Sequence, residues 1–351
     1  DVFDGMTDAA DPQIRGWLRG VSDREGACAL NFFTSQPALN YGYAVQERTW
    51  QQSPNDAGPR ATVEAIKDVM RFWLGLGCDG FRVDMAFSLV KSDPDHEATI
   101  GLWREFRDML DREYPEAVMI SEWGNPGEAL RAGFHMDFLL HFGDSHYTDL
   151  FRAEHPYFSS SGWGSMRAFV ETYQRYYDAV NQRGLICIPS GNHDMSRIAY
   201  HLSEEERKTA FLFLLTMPGA PFIYYGDEIG MRYLPGLRSV EGGFTRTGSR
   251  SPMQWTNGTN AGFSTAPKED LYIQIDPEPD RPNVADQGAD PDSFLNFVRK
   301  LIDLRRSHEP LETNGTIEWI LPETGEFPLA YLRGGKILVI LNPNSESCIF
   351  E

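Results

Sequence analysis

Between residues 60 and 225 the chain alternates between helical and strand-like patterns of apolar residues. Helical spacing of apolar positions recurs around residues 63–73, 97–112, 165–183 and 203–216. Between these segments lie short apolar runs of the length of buried strands, at residues 78–86, 117–123, 134–140, 185–189 and 221–225. This order of elements predicts an α/β fold in which a parallel sheet is covered by helices.

Capping signals mark two helix starts. Ser203 and Glu206 have the spacing of a capping box, which predicts that a helix begins there. Asp292 is predicted to cap a later helix, whose apolar face holds Phe294, Phe297, Val298, Leu301 and Leu304.

The pattern is lost between residues 226 and 292, where Gly, Pro, Asn and Asp are frequent. So long a connection is more often functional than idle. Beyond the helix after residue 292, short apolar runs at 316–320, 329–332 and 336–341 predict antiparallel strands that begin a small β domain.

Composition excludes several classes of protein. The 51 acidic and 32 basic residues give a formal net charge of −19, so neither nucleic acid nor an anionic membrane is an expected partner. The cysteines Cys28, Cys78, Cys187 and Cys348 are widely spaced and predict neither a disulfide framework nor a zinc site. No run reaches the ~18 apolar residues of a transmembrane helix, and the first residues have no signal-peptide pattern, so a cytoplasmic protein is expected.

Three carboxylates, Asp84, Glu122 and Asp194, stand at or just beyond the ends of predicted strands. Acidic residues in this position are what a (β/α) barrel uses to build an active site. Strand parity puts Arg82 on the same side as Asp84, where its charge keeps that carboxylate ionised, as a nucleophile requires. Glu122 ends an apolar strand, so desolvation should raise its pKa and suit it to donate a proton.

Taken singly, each acid is better explained as a helix cap or a surface ion pair, but three in the same strand-end context favour chemistry. Asn192-His193-Asp194 also admits a metal site, although no second histidine has ligand spacing.

The motifs Gly80-Phe81-Arg82-Val83-Asp84, Ile120-Ser121-Glu122-Trp123 and Gly191-Asn192-His193-Asp194 together resemble the α-amylase superfamily of retaining glycoside hydrolases. The resemblance implies a (β/α)8 barrel, with Asp84 as nucleophile, Glu122 as acid and base, and Asp194 as transition-state stabiliser. It also implies Arg82 and His193 as sugar ligands. The segment from Arg250 to Trp255 is similar to a loop of oligo-1,6-glucosidases, α-glucosidases and trehalose synthases, so Arg250 joins the expected substrate-binding residues. Short α-glucosides are the expected substrates, and neither cofactor nor metal is expected.

The family's first conserved region is absent, and five barrel-type strands are counted where eight are needed. The chain is therefore expected to be truncated at both ends. Three parts are predicted: a loop-rich segment (1–59), the catalytic portion of the barrel (60–310) and the start of a C-terminal β domain (311–351). Hydrolysis and transglycosylation use the same residues and stay open, as do a non-catalytic carbohydrate-binding relative, an inactive fragment and the oligomeric state.

Overall fold

The structure is a computed structural model of the 351-residue chain. It describes the backbone of residues 2–3, 17–19 and 27–29, and then residues 38–237, 245–323 and 325–348. The chain divides into two compact units, one formed by residues 1–123 and 128–135 and the other by residues 124–127 and 136–351. Of the predicted loop-rich segment 1–59, most of residues 1–37 lie outside the described residues.

The first unit contains an antiparallel sheet and a parallel strand pair. The antiparallel sheet has the order β1-β3-β2, with β1 at Val2–Phe3, β2 at Trp17–Arg19 and β3 at Ala27–Ala29. The helices and parallel strands that follow are α1 (Ala57–Gly75), β4 (Gly80–Val83), α2 (Glu97–Glu113) and β5 (Val118–Ser121). The α2 face that includes Trp103, Phe106 and Leu110 is buried in the hydrophobic core.

A glycine allows β4 and β5 to approach closely. Gly80 lies opposite Val118 and has φ of +153°, and a Cβ atom there would lie 2.0 Å from the Val118 carbonyl oxygen. Any other residue at position 80 would push the strands apart at this point. From there the pairing runs in parallel register to Val83 opposite Ser121.

The second unit contains three further parallel strands and the C-terminal antiparallel sheet. Strand β6 pairs with β7, and β7 with β8. The elements after the short helix α3 (Pro126–Arg131) are β6 (Met136–Phe138), α4 (Tyr147–Phe151), α5 (Arg167–Val180), β7 (Leu185–Pro189), α6 (Glu204–Thr216), β8 (Ala220–Phe222), α7 (Val284–Ala289), α8 (Phe294–Ser307), β9 (Ile317–Ile320), β10 (Leu329–Arg333) and β11 (Ile337–Leu341). The antiparallel sheet has the order β11-β10-β9.

All five runs predicted as barrel strands form parallel strands, and the three C-terminal runs form antiparallel ones. The capping box at Ser203 and Glu206 is confirmed. The predicted cap at Asp292 is wrong, because the Ser293 hydroxyl accepts the Asn296 N–H and begins α8. The loop region also holds α7, which Asn283 caps through the Asp286 N–H.

Two buried arginines connect α6, α8 and the C-terminal sheet. Arg305 of α8 donates to the carbonyl oxygens of Leu215, Met217 and Gly219 at 2.7–2.9 Å. Arg333 of β10 donates to the carbonyl oxygens of Thr216, Glu312, Gly315 and Thr316. Burial, with the charge of Arg333, lowers the pKa of Arg305 to about 10. The bonds to Leu215, Thr216 and Met217 satisfy carbonyl groups that the end of α6 leaves free.

None of the helices among the described residues combines the length and apolar character that crossing a bilayer requires.

Candidate active site

Asp84 and Glu122 follow the paired strands β4 and β5 directly, so they leave the sheet at the same edge. One guanidinium contacts both. Arg82 Nη1 donates to Asp84 Oδ1 at 2.7 Å, and Nη2 lies 2.9 Å from Glu122 Oε1. Charge-assisted bonds of this kind fix carboxylates in orientation as well as in charge.

The two carboxylates differ sharply in exposure. The Asp84 side chain is 66% exposed, whereas that of Glu122 is only 6% exposed. Burial raises the pKa of Glu122, and the charge of Asp84 and a hydrogen bond with it add to the rise, while Arg82 and the Met85 N–H oppose it. A carboxyl group with a raised pKa stays protonated and can donate a proton, whereas a solvent-exposed carboxylate beside it can act as a nucleophile.

The backbone around Glu122 is held on both sides. Its N–H donates to the Val83 carbonyl at 2.9 Å, and its own carbonyl accepts the Ala86 N–H at 3.1 Å. The Met85 N–H reaches Oε2 at 3.2 Å, from a residue with φ of +44°. The side chain therefore has little freedom to leave its position.

Glu128 connects the residue after Glu122 to a histidine. Its Oε2 accepts the Trp123 indole N–H at 2.9 Å and lies 2.9 Å from His96 Nδ1. The His96 ring packs edge to face against the Trp123 indole, with centroids 5.8 Å apart. Trp123 is buried, so this arrangement anchors the main chain next to Glu122.

Asp194 lies in the second unit, beyond the end of β7, among positive groups. Its Oδ1 accepts bonds from Arg246 Nη1 at 2.7 Å and Arg250 Nη2 at 2.8 Å, and its Oδ2 is 3.4 Å from His193 Nε2. Although partial burial opposes it, the charges of His193, Arg246 and Arg250 hold the pKa of Asp194 below its usual range. Asp194 is therefore kept as an anion.

A buried polar network supports the Asn192-His193-Asp194 segment. The Ser190 hydroxyl donates to Asp227 Oδ2 at 2.7 Å and accepts the Tyr224 N–H at 2.9 Å. Arg197 reaches Asp227 Oδ1 at 3.2 Å and the Tyr225 carbonyl at 2.7 Å. These bonds tie the segment after β7 to the segment after β8.

The structure thus brings the predicted site residues together in two groups. Arg82, Asp84 and Glu122 form one group in the first unit, and His193, Asp194 and Arg250 form another in the second. That the two groups form a single site stays a prediction. Among the residues that the structure describes, no cluster of three His, Cys, Asp or Glu side chains is arranged to hold a metal ion.

Sequence reasoning missed Arg246 and Glu128. Arg246 lies four residues before Arg250 in a strongly acidic chain. This spacing is the sequence signal that could have marked Arg246 as a site residue. Glu128 sits in a six-residue helix with no apolar periodicity, so nothing in the pattern marked it.

Parallel strands alternating with helices, with carboxylates at the carboxyl ends of the strands, define an α/β protein of the (β/α) barrel class. Residues 51–314 match the model of the alpha-amylase catalytic domain, and the chain belongs to that family. The resemblance predicted from the motifs is confirmed.

Curated relatives agree with this assignment. The chain is 29% identical over 343 residues to the trehalose synthase/amylase TreS of Mycobacterium tuberculosis, covering 86% of this chain and 53% of TreS. It is 25% identical over 350 residues to the probable oligo-1,6-glucosidase 2 of Bacillus subtilis, covering 82% of this chain and 61% of that relative. The chain therefore spans about half to three fifths of the length of these curated relatives.

A mutant of the trehalulose synthase MutB superposes with a TM-score of 0.69 at 21% identity, over 94% of this chain and 66% of that one. The trehalose-6-phosphate hydrolase TreA of Bacillus licheniformis gives a TM-score of 0.62 at 19% identity, over 81% of this chain and 60% of that one. These likenesses confirm the predicted fold class.

Proposed function

We propose that the protein is a retaining glycoside hydrolase that cleaves α-glucosidic bonds of disaccharides or short oligosaccharides. The observation that carries the proposal is the Arg82 guanidinium bound to both Asp84 and Glu122. Retaining enzymes need their two carboxyl groups ~5 to 5.5 Å apart, whereas inverting enzymes separate them by ~6.5 to 9.5 Å. One guanidinium contacting both groups favours the closer arrangement.

In the proposed reaction, an Asp84 carboxylate oxygen attacks the anomeric carbon and forms a covalent ester. The bond from that carbon to the glycosidic oxygen breaks as Glu122 donates its proton to the departing oxygen. Glu122, now ionised, takes a proton from water. The resulting hydroxide oxygen bonds to the anomeric carbon, and the ester to Asp84 breaks. Asp194 stabilises the positive charge that develops on the sugar in both steps.

Arg82, His193 and Arg250 are the proposed sugar ligands. When a sugar hydroxyl takes the place of water in the second step, the same residues carry out transglycosylation or isomerisation. The names of the relatives include both reaction types, trehalose synthase and oligo-1,6-glucosidase. Short α-glucosides are the proposed substrates, and a cytoplasmic location is part of the proposal.

The experiment combines turnover with trapping of the intermediate. The chain is assayed on maltose, isomaltose, sucrose and soluble starch, and proton NMR follows the anomeric configuration of the first product. A 5-fluoro-α-glucosyl fluoride then traps the ester, and mass spectrometry of peptides locates it. We expect retention and a glycosyl adduct on Asp84. Inversion, or an adduct on another residue, would contradict the mechanism, and no turnover of any α-glucoside would contradict the function.

A further inference from the structure

Two adjacent tyrosines follow β8 and donate hydrogen bonds to the main chain on either side of Arg250. The Tyr224 hydroxyl donates to the Ser249 carbonyl at 3.1 Å, and the Tyr225 hydroxyl donates to the Ser251 carbonyl at 2.7 Å. Both serines are buried. Burial raises the pKa of Tyr224, so its hydroxyl stays protonated and keeps donating over the pH range in which carboxylates titrate. Arg250 is therefore held through both of its neighbours by side chains from an earlier segment of the chain.

Arg250 needs such support because it lies in the long connection after β8. Its Nη2 donates to Asp194 Oδ1 at 2.8 Å, and its Nε donates to the His193 carbonyl at 2.9 Å. Connecting segments move more than helices and strands do, whereas an arginine stabilises a carboxylate only at close range. The effect of Arg250 on Asp194 thus depends on whatever fixes the main chain at position 250.

A buried guanidinium fixes the two tyrosine rings in turn. Arg197 is 1% exposed, and its Cζ lies 4.9 Å from the centroid of each ring. Its Nη1 donates to the Tyr225 carbonyl at 2.7 Å and to Asp227 Oδ1 at 3.2 Å. A guanidinium over an aromatic face is attracted to it, more strongly where water is excluded. The rings are therefore held in the direction from which their hydroxyls reach the two carbonyls.

We infer that Tyr224 and Tyr225 are positioning residues that hold Arg250 where it bonds to Asp194. Their hydroxyls fix the main chain on both sides of Arg250, and the Arg250 side chain carries that position to the carboxylate. The inference rests on the proposed function for the part that Asp194 plays in the reaction. The positioning itself can be measured without turnover.

The charged groups around Asp194 make its titration a measure of this positioning. His193, Arg246 and Arg250 act on Asp194, and Asp194 acts on His141, which follows β6. Removal of a tyrosine hydroxyl substitutes none of these groups. A change in the titration of Asp194 after that removal therefore reports that a group beside it has moved.

The test follows the titration of the Asp194 carboxyl carbon by NMR, with the signal assigned by comparison with Asp194→Asn. Tyr224→Phe and Tyr225→Phe together remove both hydroxyls and keep both rings beside Arg197. We expect the pKa of Asp194 to rise in this double variant, by less than in Arg250→Met, because Arg250 is displaced and not removed. Each single variant should show part of the rise. An unchanged titration in the double variant would overturn the inference.

Two comparisons separate positioning from a general loss of structure. In the Arg250→Met chain, removal of both hydroxyls should leave the titration of Asp194 unmoved, because the residue through which they act is gone. The matched control is Tyr157→Phe, which removes a hydroxyl that donates to the Glu326 carbonyl at 3.1 Å. It should leave the titration as in the wild type. A rise that persists without Arg250, or an equal rise in the control, would overturn the inference.

Kinetics connect the positioning to the proposed reaction. Activity that depends on the Asp194 anion is lost as pH falls through its pKa, so the acid limb of kcat/KM should move to higher pH in the double variant. We expect kcat/KM on an α-glucoside that the wild type cleaves to fall about tenfold, the scale of losing two hydrogen bonds. If the wild type cleaves no α-glucoside, the proposed function is wrong, and the titration still decides the inference. Cleavage with an unmoved titration would refute the positioning role alone.

Discussion

Arg82 Nη2 lies 2.9 Å from Glu122 Oε1 while Nη1 of the same guanidinium bonds to Asp84. Lysine cannot reproduce this relationship, because one ammonium group has neither the fork nor its fixed spacing. We expect Arg82→Lys to lower kcat/KM on maltose about 10²-fold, the usual cost of losing a positioned donor.

The control for this substitution is Arg112→Lys, at an exposed arginine in the last turn of α2. It should retain wild-type kinetics. Steady-state kinetics on both variants test these two expectations, and thermal melts show whether the variants are folded. A wild-type rate in Arg82→Lys would show that the shared guanidinium is not needed.

The raised pKa of Glu122 predicts where activity falls on the alkaline side of the pH profile. The proposed acid works only when protonated, so activity falls as pH rises through its pKa. Because burial moves that pKa upward, the fall should begin above the usual range of an exposed glutamate. Arg82 holds the pKa down, so Arg82→Met should move the fall to still higher pH. A profile of kcat/KM against pH for both proteins checks these statements. They would be contradicted if the alkaline limb moved to lower pH in Arg82→Met.

Arg246 should matter although no motif marks it. Arg246→Met removes one of the charges that hold Asp194 ionised, so the pKa of Asp194 should rise. Activity that depends on the anion is lost as pH falls through this pKa, so the acid limb should move to higher pH. We expect kcat/KM to fall by about 10² at low pH. Arg299→Met, at an exposed arginine bonded to Asn296, is the control and should leave the limb unmoved.

Glu128 should act on stability and on rate together. Glu128→Ala leaves the Trp123 indole N–H and His96 Nδ1 without this shared acceptor. Loss of such bonds costs about 1–3 kcal/mol, and we expect a fall of that size in the free energy of unfolding in urea. We also expect kcat to fall more than KM rises, because Glu122 loses the anchor of its neighbour. Glu116→Ala, at an exposed position, should change neither quantity.

Arg305 should contribute to stability alone. Arg305→Met removes three bonds to carbonyl groups and leaves those groups buried, so the free energy of unfolding should fall by about 2–4 kcal/mol. Arg306→Met changes the exposed neighbouring arginine and should cost almost nothing. Urea denaturation of both variants measures the difference, and equal values would contradict the role assigned to the buried guanidinium.

The periodic parts of the fold were predictable, and contacts set by distant residues were not. Apolar runs of strand length gave all five parallel strands, because buried strands carry few polar residues. Strand parity also predicted that Arg82 and Asp84 share a side, where the structure shows them bonded. Arg246 lies in a segment without periodicity, so only the folded chain brings it to Asp194. The α8 cap shifted to Ser293 because Asp292 and Ser293 are both good caps, and sequence alone does not rank them.

Gly80 has a consequence for the carboxylates four residues later. Because the Val118 carbonyl occupies the space that a side chain at position 80 would need, β4 and β5 can pair with these two residues opposite each other only if residue 80 is glycine. The register that starts there ends with Val83 opposite Ser121, which makes Asp84 and Glu122 the next pair along. The spacing between Asp84 and Glu122 therefore depends on a position at the opposite end of the strand pair. A larger residue at position 80 would change the spacing between Asp84 and Glu122, although neither carboxylate would itself be substituted.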